Sequence, residues 1–592
     1  MYPVTDTWKE AVEKPLRNYS YVRIVFGITD PDAPSLSDLK DNGHLPYSTV
    51  ENIDLGTSVP ATYQTLERNR FILDGKNPLP LDVNPNYQGY AGGEISDDEG
   101  VWLLNPTIEI TMGDYIQSAG LTFQFDESLG EYPAEMQIQA FYDGEKVFDE
   151  IINPDKAYFE YPEQIPLFNK MNLIWLKSKT PHRRARLTQL IYGLMNELLQ
   201  TDITECTATK EVSLDSTKLP KNDFKFTIVD KYKRYDPENP SGVWEYLESR
   251  QPVTYYYGYE TSDGNIEWIP WGMAYSTGKV SVTQQSVASN VTVECAGLVS
   301  HLNMDYDEGL YYSSGISLYD LTEKVMTFAG FPDTTEIDNS LKNIYTHNPL
   351  PVESVDKCLQ LIANAGRCIL SHSRGGYVTI KRENKEDTGF DLNFNKIKET
   401  PKTSKIAPLK NLTTVYTTMK PEGSNTTAAT VEVSNANKQE FTFSHAAYTG
   451  QTLSVSSGLT IVGTVKYYAY KTVATLTGSG TVTISGKKLV SNEAEYTKAY
   501  NVVGEDLKMN PNVLVDNYTD LMAYTDWIAD VTLRRNTYEV SDRGYPELDT
   551  GDYIGFTSNF SNDVTTTIVK QTIKYNGAIS GNTKLIIAGG DS

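Results

Sequence analysis

Cysteine is scarce in this sequence, with 4 residues among 592. Small secreted proteins that depend on disulfides have a high density of cysteines at regular spacings, whereas these four are scattered along a long chain. A disulfide framework is therefore excluded, and we expect reduced thiols that act as small core residues. The four are Cys206, Cys295, Cys358 and Cys368.

Long apolar runs are also missing. No window of about 18 apolar residues occurs, which is the length that a helix needs to cross a membrane. The first residues, MYPVTDTWKEAVEKPLRNYS, do not contain the basic stretch followed by an apolar stretch that marks a secretory signal peptide. We expect neither a signal peptide nor a membrane-spanning segment.

Basic residues are in the minority. The chain has 52 Lys and Arg against 77 Asp and Glu, a formal net charge of -25. This balance argues against non-specific attraction to nucleic acid phosphates or to an anionic membrane surface. We expect no specific nucleic acid partner, although a surface that repels DNA is compatible with this charge.

The usual signatures of hydrolytic chemistry are missing too. No histidine is followed by glutamate, as a zinc protease requires, and no Gly-x-Ser-x-Gly sequence marks a serine nucleophile. Cys368 and His372 are close in sequence, but no third group nearby would orient them, so we interpret them as a core thiol and a surface imidazole. The sequence predicts no catalytic residue, no metal site and no cofactor, and hence a protein that is not an enzyme.

Tyrosine, glycine and proline are abundant instead, with 40, 41 and 28 residues. This balance is typical of many short, half-buried strands that are joined by turns. Because the chain is longer than one hydrophobic core usually supports, we expect several domains. The predicted fold class is mainly β with a small α/β part.

Strand patterns recur along the chain. YSYVRIVF (19–26) reads as a short apolar strand, and regular alternation from 101 to 193 is typical of a β-sandwich. Within that region, the YDG of EMQIQAFYDG (135–144) supplies a turn. A Thr-, Ser- and Val-rich stretch with Gly turns, within 436–500, predicts a further β-rich insertion.

The periodicity becomes helical between 316 and 366. Two apolar stripes predict two helices, and we expect Ser354 to cap the second and Gly366 to end it. RCILSHSRGGYVTIKR then predicts a β-hairpin that turns at Gly375 and Gly376. A last helix, within PNVLVDNYTDLMAYTDWIADVTLRRN, leads into RGYPELDTGDYIGF (543–556), which turns twice and then alternates as a strand.

The order of four stretches resembles one known family. LPKNDFKFTIVD with the following GNIEWIPWGMAYS, then SLYDLTEKVMTFAGF, then PVESVDKCLQLIANAGRCILSHSRGGYVTIKR, and finally RGYPELDTGDYI are similar to the central hub proteins of phage tail baseplates. That family includes the N-terminal modules of tail-associated lysins and the hubs of contractile tails and R-type bacteriocins. The likeness covers about 200–592 and the first strand region, 19–75.

The resemblance implies a domain plan built on two tube-forming β-barrels. Residues 1–75 with 194–300 would form the first barrel domain, which an inserted β-sandwich at 76–193 interrupts. Residues 301–390 would form an α/β domain with two helices and a hairpin. Residues 391–592 would form the second barrel domain, with the β-rich insertion at 436–500.

The resemblance also implies a function. Such a hub is a homotrimeric ring in the virion tail baseplate, assembled in the host cytoplasm, and it joins the tail tube to the distal tip. Its expected partners are the distal tail or tube protein above, the tape-measure protein in the lumen, and tip or receptor-binding proteins below. Since DNA must pass without sticking, we expect acidic and neutral polar side chains to line the channel.

An alternative function is adhesion to cell-wall glycan through the inserted sandwich. Exposed aromatic rings are suited to stacking on sugars, and Trp102, Tyr142 and Trp175 are the candidates in this region. The competing interpretation is that NLIWLKS (172–178) buries Trp175 in the core. In that case the sandwich is only a spacer.

Overall fold

The computed structural model describes residues 1–15, 17, 19–42, 46–55, 89–126, 130–240, 242–284, 288–332, 334–434, 437–443, 446–558 and 561–588. The predicted boundary between 75 and 76, and the neighbouring parts of the first barrel domain and the inserted sandwich, lie outside the described residues. Strands dominate the described part of the chain, so the prediction of a mainly β protein is confirmed. The domain boundaries stay predictions.

Few helices accompany the strands. The described α-helices are α1 Asp6–Glu13, α2 Ala33–Leu36, α3 Leu318–Phe328, α4 Val355–Ala365 and α5 Tyr518–Thr532. None of them is long and apolar enough to cross a bilayer.

Most strands of the first half of the chain have eight or more residues, and several alternate between buried and half-buried side chains. They are β1 Ser20–Thr29, β2 Ser37–Asp41, β3 Tyr90–Ala91, β4 Thr107–Ser118, β5 Leu121–Gln124, β6 Pro133–Tyr142, β7 Glu145–Ile152, β8 Tyr158–Tyr161, β9 Ile165–Ser178, β10 Arg186–Leu187, β11 Gln189–Leu199, β12 Ile203–Glu211, β13 Lys221–Asp230, β14 Ser249–Glu260, β15 Ile266–Thr283 and β16 Ser289–Ala296.

The second half contains the two longest strands, β26 and β31, together with several strands of two residues. They are β17 Asp305–Tyr306, β18 Ile316–Ser317, β19 Thr335–Ile337, β20 Tyr345–Thr346, β21 Glu353–Ser354, β22 Ile369–His372, β23 Val378–Lys381, β24 Asp387–Leu392, β25 Lys402–Lys405, β26 Leu409–Val433, β27 Lys438–Thr442, β28 Tyr448–Val455, β29 Leu459–Tyr467, β30 Lys471–Gly478, β31 Gly480–Ala499, β32 Glu505–Lys508, β33 Asn536–Asp542, β34 Tyr553–Ser558, β35 Ser561–Tyr575 and β36 Ile579–Ile587.

One large sheet contains strands from both predicted barrels. Its order is β25-β33-β36-β35-β12-β13-β16-β15-β14-β1-β11-β5-β8, with β34 beside β35 and β24 beside β34. The two halves meet where Cys206–Glu211 of β12 pairs with Tyr575–Lys570 of β35. The prediction of two closed barrels is therefore wrong for the described residues, because a barrel requires its first and last strands to pair. Here strands of each predicted barrel pair with strands of the other.

The 101–193 region contributes β5, β8 and the start of β11 to one end of this sheet, and its remaining long strands form a second layer over that end. A five-stranded sheet, β2-β4-β9-β6-β7, contains β2 from outside the predicted sandwich segment. Its inner residues, such as Ile110 and Leu173, share a core with Phe123 and Leu190 of the large sheet. Two packed layers with one core are the arrangement of a sandwich.

Helices α3, α4 and α5 form the helical part. Their apolar faces meet in one core, and α5 joins it although the sequence places that helix in the 391–592 unit. The predicted hairpin is present as β22 and β23, with β19 parallel to β23. Ser354 does precede α4 as expected, but its side chain makes no capping hydrogen bond, so that detail of the prediction is wrong.

The β-rich insertion extends from this helical core as a long arm. Strands β26 and β31 pair over most of their length. At the far end, β27 to β30 close over a small core that includes Phe441, Leu476 and Ile484. Lys471 ties the insertion back to the helical part through Asp307, with the Nζ and Oδ2 atoms 2.6 Å apart.

Candidate functional site

The middle of the turn-rich segment 543–552 is buried, while its first residue and its last four are half-buried, and the segment ends where β34 begins. Gly544 has a φ of +79°, and a Cβ there would come within 2.5 Å of Ile579. Only glycine combines this left-handed backbone with this close contact. The second turn closes through the Asp552 N–H, which donates to the Asp549 carbonyl at 3.2 Å.

Asp549 binds two buried or half-buried cations from different parts of the chain. Its carboxylate accepts hydrogen bonds from the Lys210 ammonium of β12, with Nζ–Oδ distances of 2.9 and 3.1 Å. Arg374, in the turn between β22 and β23, places Nε 3.2 Å from Oδ2. We call Lys210, Arg374 and Asp549 the junction cluster. It connects the two predicted barrel units and the α/β unit at one point.

Arg374 also holds the backbone around this point. Its guanidinium donates to the carbonyl oxygens of Pro270, Pro546, Glu547 and Leu548 at 2.8 to 3.1 Å. Arginine suits this position because its planar fork carries several donors in fixed directions. The β22–β23 turn is thereby fixed to the 543–552 segment and to β15.

The electrostatics of the cluster favour the charged form of Asp549. Burial raises the pKa of Asp549, but Lys210 and Arg374 outweigh burial and hold that pKa below its usual value. The pKa of Lys210 is lowered, first by burial and further by Arg374, although Asp549 opposes this. The side chain of Lys210 is only 2% exposed. Loss of Asp549 would therefore leave a buried ammonium without its counter-ion.

A second group of contacts fixes the N-terminal region to the same segment. The Arg17 Nη1 atom donates to the Tyr259 hydroxyl at 2.7 Å and to the carbonyls of Arg543 and Gly544 at 2.6 and 2.9 Å. Its guanidinium carbon also lies 4.7 Å from the centre of the Tyr545 ring. Tyrosine rings attract cations in this geometry. The 543–552 segment is thus enclosed from several sides.

Burial dominates at Glu547, whose pKa is raised, unlike that of Asp549. Burial raises the pKa of Glu547 to about 7. Among the described residues, its Oε2 atom has no hydrogen-bond partner. The carboxyl is consequently half protonated near neutral pH, and its ionisation opposes folding.

Among the described residues, the arrangement of thiols and imidazoles gives no reactive pair. All four cysteines are buried and free, as predicted for small core residues. Burial raises the pKa of Cys368 to about 12, so its thiol stays protonated. His372 is buried and its Nε2 accepts from the Val299 N–H at 3.2 Å, so the prediction of a surface imidazole is wrong. Alternation along β22 turns this histidine inward.

Metal-binding residues do not cluster either. No group of three His, Cys, Asp or Glu side chains suited to a metal occurs within the described ranges. The contacts described above for the 543–552 segment hold strands together.

The three predicted glycan-binding residues fall in two environments. Trp102 and Trp175 are 4% and 1% exposed and belong to the core beneath the five-stranded sheet. The Trp102 indole donates to the Arg183 carbonyl at 3.2 Å. In this conformation neither indole offers a face to a sugar. Tyr142 is different, because its ring is 40% exposed and lies beside Tyr115, which the prediction omitted.

Signals for the missed residues exist in the sequence. Lys210 follows Cys206 and Ala208 on the buried face of β12. Because a buried cation needs a partner of opposite charge, this position predicts an acidic residue nearby. Tyr115 follows Gly113 and Asp114 inside a strand pattern, which is a signal for a bulge.

Comparison with known proteins gives structural neighbours only. A scan against protein-family models and a search of curated proteins each find no match for the chain. The chain is similar to a tail protein from Neisseria meningitidis MC58, with 10% identity and a TM-score of 0.39 over 66% of this chain and 93% of that one.

Two further solved structures give the same type of likeness. The 43 kDa tail protein of prophage MuSo2 from Shewanella oneidensis is 11% identical, with a TM-score of 0.38 over 67% of this chain and 96% of that one. An E. coli type VI secretion component, itself structurally similar to two T4 bacteriophage tail proteins, is 8% identical, with a TM-score of 0.33 over 66% and 75%.

The neighbours are phage tail proteins and a secretion component similar to them, which is the class that the sequence resembles. Since the identities and TM-scores are this low, we base the proposals below on the residues and contacts of this chain.

Proposed function

We propose that this chain is the structural hub of the baseplate of a phage tail or a phage-tail-like particle. The observation that carries the proposal is the open fifteen-stranded sheet, which ends at β25 and β8 along its main path and at β24 on a branch beside β34. An open sheet can continue into a neighbouring copy, and a ring of identical chains would place copies of the same sheet side by side.

Rigidity supports this proposal. A hub must keep its strands in place while other proteins bind above and below it. The junction cluster binds strands and turns that are far apart in sequence, since Lys210 and Asp549 are separated by 339 positions. A trimeric ring that joins the tail tube to the distal tip is the assembly that we propose, in the virion tail.

Copy number in the particle tests this assembly. Quantitative mass measurement of isolated tail tips, with the tube protein as internal standard, is expected to give three copies of this chain per tail. Six copies would instead indicate a distal ring protein, and the trimeric hub would be rejected.

Charge gives a second property of the proposed ring. The 77 acidic residues against 52 basic residues can supply a channel wall that repels phosphates, through which DNA or a tape-measure protein passes. We expect the channel of the assembled particle, resolved by electron cryomicroscopy, to be lined by Asp, Glu and neutral polar side chains. A narrowest point formed mainly by Lys and Arg would contradict this expectation.

The hub proposed here is not an enzyme. The described cysteines are buried with raised thiol pKa values, and His372 is neutral because burial lowers its pKa to about 3. Zymography of the purified chain on peptidoglycan is expected to show no lysis. A lysis band that persists after further purification would contradict this part of the proposal.

A further inference from the structure

An exposed tyrosine pair lies at one corner of the five-stranded sheet. Tyr115 and Tyr142 are 42% and 40% exposed. Their ring centres are 5.1 Å apart and their planes are tilted by 32°. Tyrosine rings that share a surface in this way offer a flat apolar area with polar groups at its edge.

The pair is held rigidly by a hairpin turn. The Tyr115 hydroxyl donates to Asp143 Oδ1 at 2.7 Å, and the Asn169 amide donates to the same oxygen at 3.0 Å. The Asp143 N–H donates back to Asn169 Oδ1 at 3.0 Å. Asp143 and Gly144 both have positive φ, 48° and 88°, as a two-residue hairpin turn requires. Rigid rings lose little entropy when a ligand binds.

A β-bulge brings the two rings together. Thr111 of β4 pairs with Lys170 of β9, but the next pair is Ile116 with Phe168. The additional β4 residues lie opposite Asn169 alone. They leave the ladder and place Tyr115 beside the end of β6, where Tyr142 lies. Bulges commonly redirect a side chain towards a functional surface.

A cavity of about 320 Å³ begins at Tyr115. It lies between the five-stranded sheet and the large sheet, and Tyr115, Gln117, Leu167, Tyr246 and Glu248 contribute to its wall. Its volume is within the range of small-ligand pockets, roughly 300 to 1,000 Å³. Aromatic and apolar side chains with a few carboxylate and amide groups are a suitable lining for a sugar, since hydroxyls donate to carboxylates while ring faces cover C–H groups.

We propose that the Tyr115–Tyr142 pair and the adjoining cavity bind a neutral saccharide. The charges select the ligand. Asp114 and Asp143 carry carboxylates around the rings, and Asp30 and Glu248 carry carboxylates in the cavity wall. Negative groups in this arrangement repel phosphate-bearing and uronic acid polymers. The site therefore takes an uncharged glycan, and it would give the hub contact with a cell surface.

The test uses the intact chain on an array that carries both neutral oligosaccharides and anionic glycans. We expect the protein to bind neutral members and to reject the anionic ones. Tyr142→Ala and Tyr115→Ala should each weaken the binding of the best neutral member roughly tenfold, since one aromatic face is lost. Tyr115→Phe keeps the ring but not its bond to Asp143, so it should weaken binding less.

Tyr345→Ala is the matched control. Tyr345 is 51% exposed and lies in β20, within the helical part of the chain. Its removal should leave saccharide binding unchanged. Circular dichroism and melting of every variant establish that the fold is retained, and if Tyr115→Ala fails to fold, Tyr142→Ala at the exposed strand end decides. Absence of neutral saccharide binding at millimolar concentration, binding of anionic glycans alone, or unchanged binding by Tyr142→Ala would each overturn the proposal.

Discussion

Replacing Asp549 with asparagine should weaken the connection between the two halves of the large sheet. The change keeps the shape of the side chain but removes the charge that Lys210 and Arg374 share. Lys210 cannot turn to solvent, because its side chain is 2% exposed. Removal of one partner from a buried ion pair typically costs about 3 to 5 kcal/mol, since the other charge stays buried without compensation.

The loss of stability in Asp549→Asn should depend on pH in a predictable direction. In the variant the folded-state pKa of Lys210 falls further, because burial and Arg374 already lower it and Asp549 no longer opposes them. A lysine with a lowered folded pKa loses its proton more readily when folded than when unfolded, so the variant gains stability as the pH rises. The difference between the parent and Asp549→Asn should therefore be larger at pH 6 than at pH 9.

Hydrogen exchange measured by mass spectrometry suits this test, because it reports the opening of each region separately in a chain of this length. Amides of β12 and of 543–552 should exchange faster by on the order of a hundred- to several-thousand-fold in Asp549→Asn. Asp149→Asn is the control. It removes a surface ion pair with Lys146, in which Nζ and Oδ2 are 2.5 Å apart, and should cost less than about 1 kcal/mol.

Adding Lys210→Met to Asp549→Asn should restore part of the protection, because the unpaired charge is then gone. Unchanged exchange in β12 of the single variant, or a double variant that is less protected than the single one, would refute the assignment of a stabilising role to this cluster.

Three further changes have defined outcomes. Burial raises the pKa of Glu547 to about 7, so the folded protein holds a proton that the unfolded chain releases, and stability falls between about pH 4.5 and 7. Glu547→Gln should flatten this profile and stabilise the protein at pH 8 by on the order of 3 kcal/mol. Melting curves across that pH range would measure the difference. Arg534→Lys keeps the charge but breaks the two hydrogen bonds with Glu383, which are 2.5 and 2.7 Å long. It should lower the free energy of unfolding by about 1 to 3 kcal/mol in denaturant titrations. A decrease below experimental error would contradict this expectation. Gly193→Ala would place a methyl group 2.1 Å from a β1 backbone oxygen, and it should lower the soluble yield and the melting temperature. Gly144→Ala is the control and should have a far smaller effect, because no atom lies within 4 Å of the added methyl group. Equal effects of the two variants would argue against this packing.

Local patterns in the sequence were enough to predict the mainly β class and several elements of this fold. Phe224, Phe226 and Ile228 alternate along β13 and all are buried, so the strand and its inner face follow from period two alone. The apolar residues at helical spacing in α3 and α4 predicted both helices in the same way. The middle of β26 carried too little signal, because PEGSNTTAAT (421–430) has scarcely any apolar residue that would mark a strand.

Long-range pairing is the part that local patterns could not supply. Nothing in the sequence near Cys206 indicates that β12 pairs with β35, so the two separate barrels that the family resemblance implied were not corrected by any local signal. The partners of Asp549 were hidden for the same reason. The glycan candidates show the reverse problem, since composition identified Trp102 and Trp175 as large aromatic residues while packing determined that only Tyr142 among the three stays exposed.

The tight turns before β34 are explained by the register of that strand. Ile554 and Phe556 face the core, and a shift of one residue would turn them outward and bring Gly555 and Thr557 inward. Asp549 is fixed to Lys210 on one side of the turn, and the Gly551 N–H donates to the Ile568 carbonyl at 2.7 Å on the other. The strand therefore begins from a fixed point rather than from a flexible loop. In the ring that we propose, each copy would present the same face of this sheet, so the half-buried carboxylate of Asp549, which fixes the register, would serve assembly as well as folding.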